Sequence, residues 1–310
     1  MIIKGGFMNP AFDRRRTLIF VLFAFGLAWA VGGVVALTGG IANSPPIPGG
    51  LSLAFVLIAV GYMWAPALAH LLTRLITREG WQDLWLRPHF RQHWRIWLLA
   101  WFTPLVATVV GAAIFFALFP KYFDPDLLQL RVLLAGSGPL ATLNPWLVVL
   151  LMTLQGMVIA TVINSLFTFG EEFGWRAYLV QKLLPLGARR AALISGLIWG
   201  VWHAPVIAMG HNYGLDYPGF PWLGILTMTW ACVLLGVFFT WITLRGRSVW
   251  PAVIAHAVIN GISGTAILAV RGQPNPILGP LPVALIGSAG WLLIAVYLFF
   301  VARWPEDGMA

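Results

Sequence analysis

Two adjacent carboxylates, Glu171 and Glu172, stand at the end of a long apolar run, and Arg176 follows four residues after the second. An ionisable group inside a membrane segment costs about 2.5–3.5 kcal/mol at the helix centre on insertion scales. Such groups therefore face a protein interior or a wet cavity and have partners. At roughly 100° per residue, Glu172 and Arg176 share one helix face and can pair directly, while Glu171 points about a quarter turn away.

The histidines supply the rest of a reactive set. His203 follows Trp199-Gly200-Val201-Trp202, and His256 stands one helical turn before Asn260, so the last two share a face. A carboxylate, two imidazoles and an amide are the groups a hydrolytic site needs: a base for water, groups to orient it, and donors for an oxyanion. The same residues would also serve as a structural polar knot, with Glu172 and Arg176 as an ion pair capping a span. His70 and His211 read as packing residues, and Asn164 and Ser165 as polar contacts between helices. There is no His-Glu-x-x-His zinc motif, no Gly-x-Ser-x-Gly elbow, no P-loop and no pair of aspartates on facing spans.

The elements that must position these groups are written for lipid. The chain has 310 residues, 60% hydrophobic and 9% charged, and its mean hydropathy is +0.85. Soluble domains carry roughly 25% charged residues. The composition predicts an all-α, polytopic integral membrane protein. The net charge of +9 belongs to basic ends of apolar runs, and no nucleic-acid motif accompanies it. The single cysteine, Cys232, excludes an internal disulfide and a multi-cysteine metal cage.

About eight spans are expected: residues 17–38, 51–73, 96–119, 145–169, 191–209, 222–244, 249–270 and 283–302. The first is long enough to cross and lacks a small-residue cleavage site, so it reads as a helix rather than a leader. The basic, Trp-rich stretch 74–95 reads as interfacial and partly amphipathic. Residues 127–134 read as a short helix, and a further short helix carries Arg176 and Lys182 to Pro185 and Gly187. With the N-terminus in the cytoplasm, eight spans return the C-terminus there too. Sixteen of the nineteen basic residues, from Lys4 to Arg303 and including Arg176, then fall inside; Lys121, Arg131 and Arg271 fall outside. Apart from the glutamate pair, the acidic residues, Glu306 and Asp307 among them, fall in termini or loops. Residues 1–310 read as one transmembrane domain, with the catalytic motifs within about 145–262.

The ordered set Glu171-Glu172-x-x-x-Arg176, an aromatic (Trp199) four residues before His203, and His256-x-x-x-Asn260 resembles the CAAX prenyl protease and bacteriocin-processing (CPBP) family. These are the type II CAAX endopeptidases, or glutamic intramembrane proteases. The resemblance implies that Glu171 is the general base for water, that His203 positions the water, and that His256 and Asn260 bind the oxyanion. Glu172 and Arg176 would brace the site. Trp199 stands where phenylalanine is frequent, which enlarges the aromatic wall. The implied substrate is a lipidated or membrane-embedded protein or peptide, prenylated in the eukaryotic case, met in the bilayer. Glu171, His203 and His256 are the candidate ligands should a zinc ion be bound. The metal-free reading is preferred, because the same groups are what an oriented water needs, and no cofactor is expected.

The expected location is a prokaryotic plasma membrane, with the site opening toward the cytoplasm. Two other readings use the same residues: a non-catalytic immunity or scaffold protein, and a proton-coupled transporter. The transporter would be expected to show broken helices and paired halves, and no internal repeat is found.

Overall fold

The computed structural model describes residues 12–305; Lys4, Glu306 and Asp307 lie outside the described residues. It is an all-α bundle, in which the described residues form no strand beyond two isolated bridges. Seven helices are long and apolar enough to cross a membrane. They are α1 (Arg14–Leu37), α2 (Leu53–Thr77), α3 (Phe90–Leu118), α5 (Pro145–Leu186), α6 (Ala188–Ala208), α7 (Trp222–Gly246) and α8 (Trp250–Ala269). The short α4 spans Leu128–Leu134, and α9 spans Ala289–Phe300.

Three elements differ from the sequence expectation. The eighth segment, expected over 283–302, reduces to α9, a helix of 12 residues. At 1.5 Å per residue it is roughly 18 Å long against a hydrocarbon core of about 30 Å. Turns occupy 275–288, where Pro280, Pro282 and Gly287 interrupt the apolar pattern. The fourth span does not stop at 169: α5 runs unbroken for 42 residues. Its interruptions are π-helical turns at Gly156–Ala160 and Trp175–Leu179, which keep the chain's direction. The glutamates therefore lie within a helix rather than at its end. Finally, the stretch 74–95, read as interfacial and partly amphipathic, is not one element. Residues 79–89 are non-helical, with Asp83, Trp85 and His89 at positive φ, and α3 begins at Phe90. Gly80 and Pro88 explain the break, and the loop is anchored by Val249 N–H donating to Trp85 O at 2.9 Å.

The bundle is centred on α7, buried over most of its length and packed on α6, α8 and α9. On the other side α5 lies between α2 and α8, and α2 packs on α1. Glycines set two close approaches. A Cβ on Gly170 would sit 2.7 Å from Met63 O, and one on Gly174 would overlap Pro66, so only glycine lets α5 meet α2 here.

The chain's alternation sorts the charges into two ends. Arg14–Arg16, Arg74, Arg78, Arg87, Arg91, Arg95, Lys182, Arg189, Arg190, Arg245, Arg247 and Arg303 gather at one end. Contacts tie that end together: Arg16 and Lys182 both pair with Glu79, and Arg245 donates to Arg303 O at 2.6 Å. Lys121, Arg131 and Arg271 lie at the other end, where Arg271 N–H donates to Tyr122 O at 2.8 Å. Arg176 belongs to neither. It is fully buried, so it does not count toward the orientation charge as the sequence reading had it.

Candidate active site

The middle of α5 delivers two carboxylates in different directions. Glu172 is completely buried, with Oε2 3.2 Å from Arg176 Nε, one turn on. The contact is an ion pair off the line of an N–H···O bond, and the guanidinium finds no hydrogen-bond acceptor among the described residues. Aromatic faces hold it instead: its Cζ lies 4.7 Å from the Trp199 ring centroid and 5.3 Å from that of Phe239. Such cation–π contacts favour a desolvated arginine. The other oxygen of Glu172 accepts from His256 Nδ1 at 2.8 Å. That bond fixes the proton on Nδ1 and leaves Nε2 as the ring atom available to the cavity.

Glu171 points elsewhere. Its Oε2 accepts from the Trp199 indole N–H at 2.7 Å. Trp199 is buried in α6 and its ring lies 5.6 Å from His203 and 5.4 Å from His256, centroid to centroid, so it is in ring contact with both imidazoles. His203 occupies the turn between Ala188–Trp202 and Ala204–Ile207, where Pro205 breaks the helix. Its Nδ1 donates to Trp199 O at 2.8 Å, with Cys232 Sγ at 3.8 Å. The break also leaves the Trp202 carbonyl to side chains: Tyr62 Oη donates to it at 2.5 Å and Trp29 Nε1 at 3.1 Å.

Glu171, His203, His256 and Asn260 all line one cavity of about 540 Å³, with Trp199 in its wall. Every proposed chemical residue is therefore brought together. Two details differ from the sequence reading. His256 is held by Glu172 rather than turned toward Glu171 alone, and Trp199 is a hydrogen-bond donor as well as a wall. The cavity also takes in Tyr62, Asn164, His211 and Asn212. His211, expected to be a packing residue, is reachable from the cavity, although the surrounding protein holds its imidazole below the usual pKa. His70 is a packing residue as expected: Nδ1 donates to Phe173 O at 2.9 Å and Nε2 accepts from Arg74 Nε at 2.7 Å.

The cavity has a closed and an open end. At the closed end Glu172, Trp175 and Arg176 are inaccessible. From Glu171 it runs away from the basic end, past Asn260 and Ser263, to Ile41, Ser52, His211 and Val283. Beside the glutamates, α2 packs directly on Gly170 and Gly174 of α5. Along one flank, Phe55, Ile58 and Ala59 of α2 and Ile163 and Phe167 of α5 form an apolar wall. Phe55 and Ile163 are more than half exposed at the bundle's surface.

No three His, Cys, Asp or Glu side chains among the described residues form a group that could hold a metal ion. Glu171, His203 and His256 share the cavity, but as placed they do not make a three-ligand centre.

Residues 142–262 match the family described as type II CAAX prenyl endopeptidase, Rce1-like. A curated relative, CAAX prenyl protease 2 of Methanococcus maripaludis, is 31% identical over 93 residues, which cover 29% of this chain and 34% of the relative. The chain thus spans about a third of the length of that relative. The matched residues 142–262 carry the glutamate pair, both cavity histidines and Asn260, so the similarity to the Rce1-like type II CAAX prenyl endopeptidases falls on the candidate site.

Proposed function

We propose that this protein is an intramembrane endopeptidase that hydrolyses a peptide bond of a membrane-associated protein or peptide, with Glu171 as general base. The observation that carries the reading is the convergence of Glu171, His203, His256 and Asn260 on one cavity inside an otherwise apolar bundle. Glu171 takes a proton from water held with the help of His203 Nε2. The resulting hydroxide adds to the scissile carbonyl carbon. The oxyanion so formed accepts from the Asn260 amide and from the Nε2–H of His256 as an imidazolium, whose Nδ1–H is held by Glu172. Glu171 then returns the proton to the leaving nitrogen as the C–N bond breaks. The relative's name suggests prenylated proteins as one substrate class, and the chemistry described needs only a chain that reaches the cavity. The proposed location is a prokaryotic plasma membrane. A proton relay would need a second path from Glu171 to the basic end, where Glu172, Trp175 and Arg176 are buried.

The test is Glu171→Gln in purified protein reconstituted in liposomes with an internally quenched, acyl-anchored peptide. General-base catalysis contributes about 10²–10⁴-fold, so cleavage should fall at least a hundredfold. The variant's fold is checked by the continued protection of Cys232, which is buried. Cleavage within a few-fold of the unaltered protein would remove Glu171 from the mechanism.

A further inference from the structure

One polar residue of the cavity wall carries a hydrogen-bonding atom that neither the packing nor the chemistry above uses. Asn164 lies on α5 two turns before Glu171, and the helix is regular over Thr161–Gly174, so the two side chains share one face. The Asn164 amide nitrogen donates to Ala257 O of α8 at 3.3 Å. One turn on, Thr168 Oγ1 donates to Val253 O at 3.1 Å. Four residues forward on α5 thus match four residues back on α8, an antiparallel register. Ala257 directly follows His256 and stands three residues before Asn260, so the Asn164 amide is level with the two groups that meet the oxyanion. Asn164 lines the same cavity, and its Oδ1 accepts from no donor among the described residues. An unpaired amide oxygen in an apolar bundle costs free energy that a guest's N–H would recover.

We propose that Asn164 Oδ1 accepts the main-chain N–H of the substrate residue whose carbonyl is attacked. This rests on the peptidase reading and names how that site holds a main chain. In an extended strand the N–H and C=O of one residue point to the same side. A carbonyl turned to His256 and Asn260 therefore turns its own residue's N–H to the same wall, where Asn164 stands. The two turns between Asn164 and Glu171 rise about 10.5 Å along the axis. That leaves room for a water, the carbonyl carbon and the N–H between carboxylate and amide. The contact reads main chain and no side chain, so it fixes which peptide bond faces Glu171 and leaves side-chain preference to the apolar flank.

The experiment uses the full chain in liposomes and the acyl-anchored quenched peptide, with the cut bond located by mass spectrometry. A second peptide keeps the scissile amide but carries an ester oxygen in place of the N–H of the residue that supplies the scissile carbonyl. The unaltered protein should favour the amide peptide about tenfold in kcat/KM. Asn164→Leu, with Cys232 still protected, should cleave the amide peptide about tenfold more slowly and treat the two peptides within about twofold of each other. Should leucine open the bundle, Asn164→Ala takes its place. Thr168→Val deletes the neighbouring contact with α8 and should keep the preference for the amide peptide. Equal cleavage of both peptides by the unaltered protein overturns the proposal. So does a preference that survives in the Asn164 variants, because a purely structural asparagine would slow both peptides alike. Cleavage of neither peptide by the unaltered protein refutes the peptidase reading itself, and the role of Asn164 falls with it.

Discussion

Replacing Glu172 with glutamine isolates the brace from the base. The carboxylate lies between two partners, 3.2 Å from Arg176 Nε and 2.8 Å from His256 Nδ1, and it is inaccessible to solvent. Glutamine keeps an oxygen for His256 but removes the charge, which leaves the guanidinium buried between two aromatic rings without its ion-pair partner. Removing one partner of a buried pair costs about 3–5 kcal/mol, a large share of the roughly 5–15 kcal/mol that holds a typical protein folded. Arg176→Met should cost a similar amount by leaving Glu172 without its cation. The double variant E172Q/R176M removes both charges together, and its loss should fall short of the sum by about 1–3 kcal/mol. Stability is read in detergent from the reaction of Cys232 with a fluorogenic maleimide on heating, since that thiol is buried until the bundle opens. An E172Q variant within about 1 kcal/mol of the unaltered protein, or a strictly additive double variant, would refute the claim that the pair is held together by mutual neutralisation in a dry site.

Three further outcomes are expected. Trp199→Phe keeps the aromatic wall but deletes the 2.7 Å bond to Glu171, and a hydrogen bond to a charged group is worth about 1.5–3 kcal/mol; kcat/KM for the quenched peptide should fall roughly tenfold or more, with Cys232 still protected. Gly174→Ala drives a methyl into Pro66 and should destabilise the protein by about 1–3 kcal/mol in the same maleimide assay. Burial acts to raise the pKa of Glu79, but the bonds from Lys182 and Tyr178, with nearby cations, outweigh it and hold it below the usual carboxylate value. A carboxylate depressed in the folded state adds stability above its unfolded pKa and loses it as pH falls through the folded one. Unfolding should therefore become easier on acidification below about pH 4–5, and Glu79→Gln should flatten that dependence.

Much of the site was legible because its pairs are local. The i,i+4 spacings of Glu172 with Arg176 and of His256 with Asn260 state a shared helix face, and the structure keeps both relations. The bond from His256 to Glu172 spans 84 residues of sequence, and no spacing rule reaches that far. Trp199 was legible as an aromatic, but which way its indole N–H points depends on how α6 turns against α5. Arg176 was counted with the loop cations because a charge count cannot distinguish a solvated arginine from one sealed in an ion pair. The close approach of α2 to α5 was hidden for a similar reason: at Met63–Pro66, in the middle of α2, it is set by two glycines whose effect appears only when Pro66 lies against them. The shortened α9 shows the limit of hydropathy as a guide: the run 283–302 is apolar enough to cross, yet its first residues are spent in turns.

In the peptidase proposed above, a chamber closed at its reactive end would give substrate and product the same doorway. A chain cannot be threaded through it, so cleavage is confined to segments that dip in and turn back or to free chain ends. The distance along α2 from Ser52 at the rim to Met63 beside the glutamates is eleven residues of helix, roughly 16 Å. An extended peptide covers that distance in about five residues. The depth of the chamber is thus a ruler: from the rim inward, about five residues of strand bring a bond to Glu171, and a shorter tail fails to reach it. The released fragment must back out before the next chain can be measured, which makes product clearance part of the turnover time.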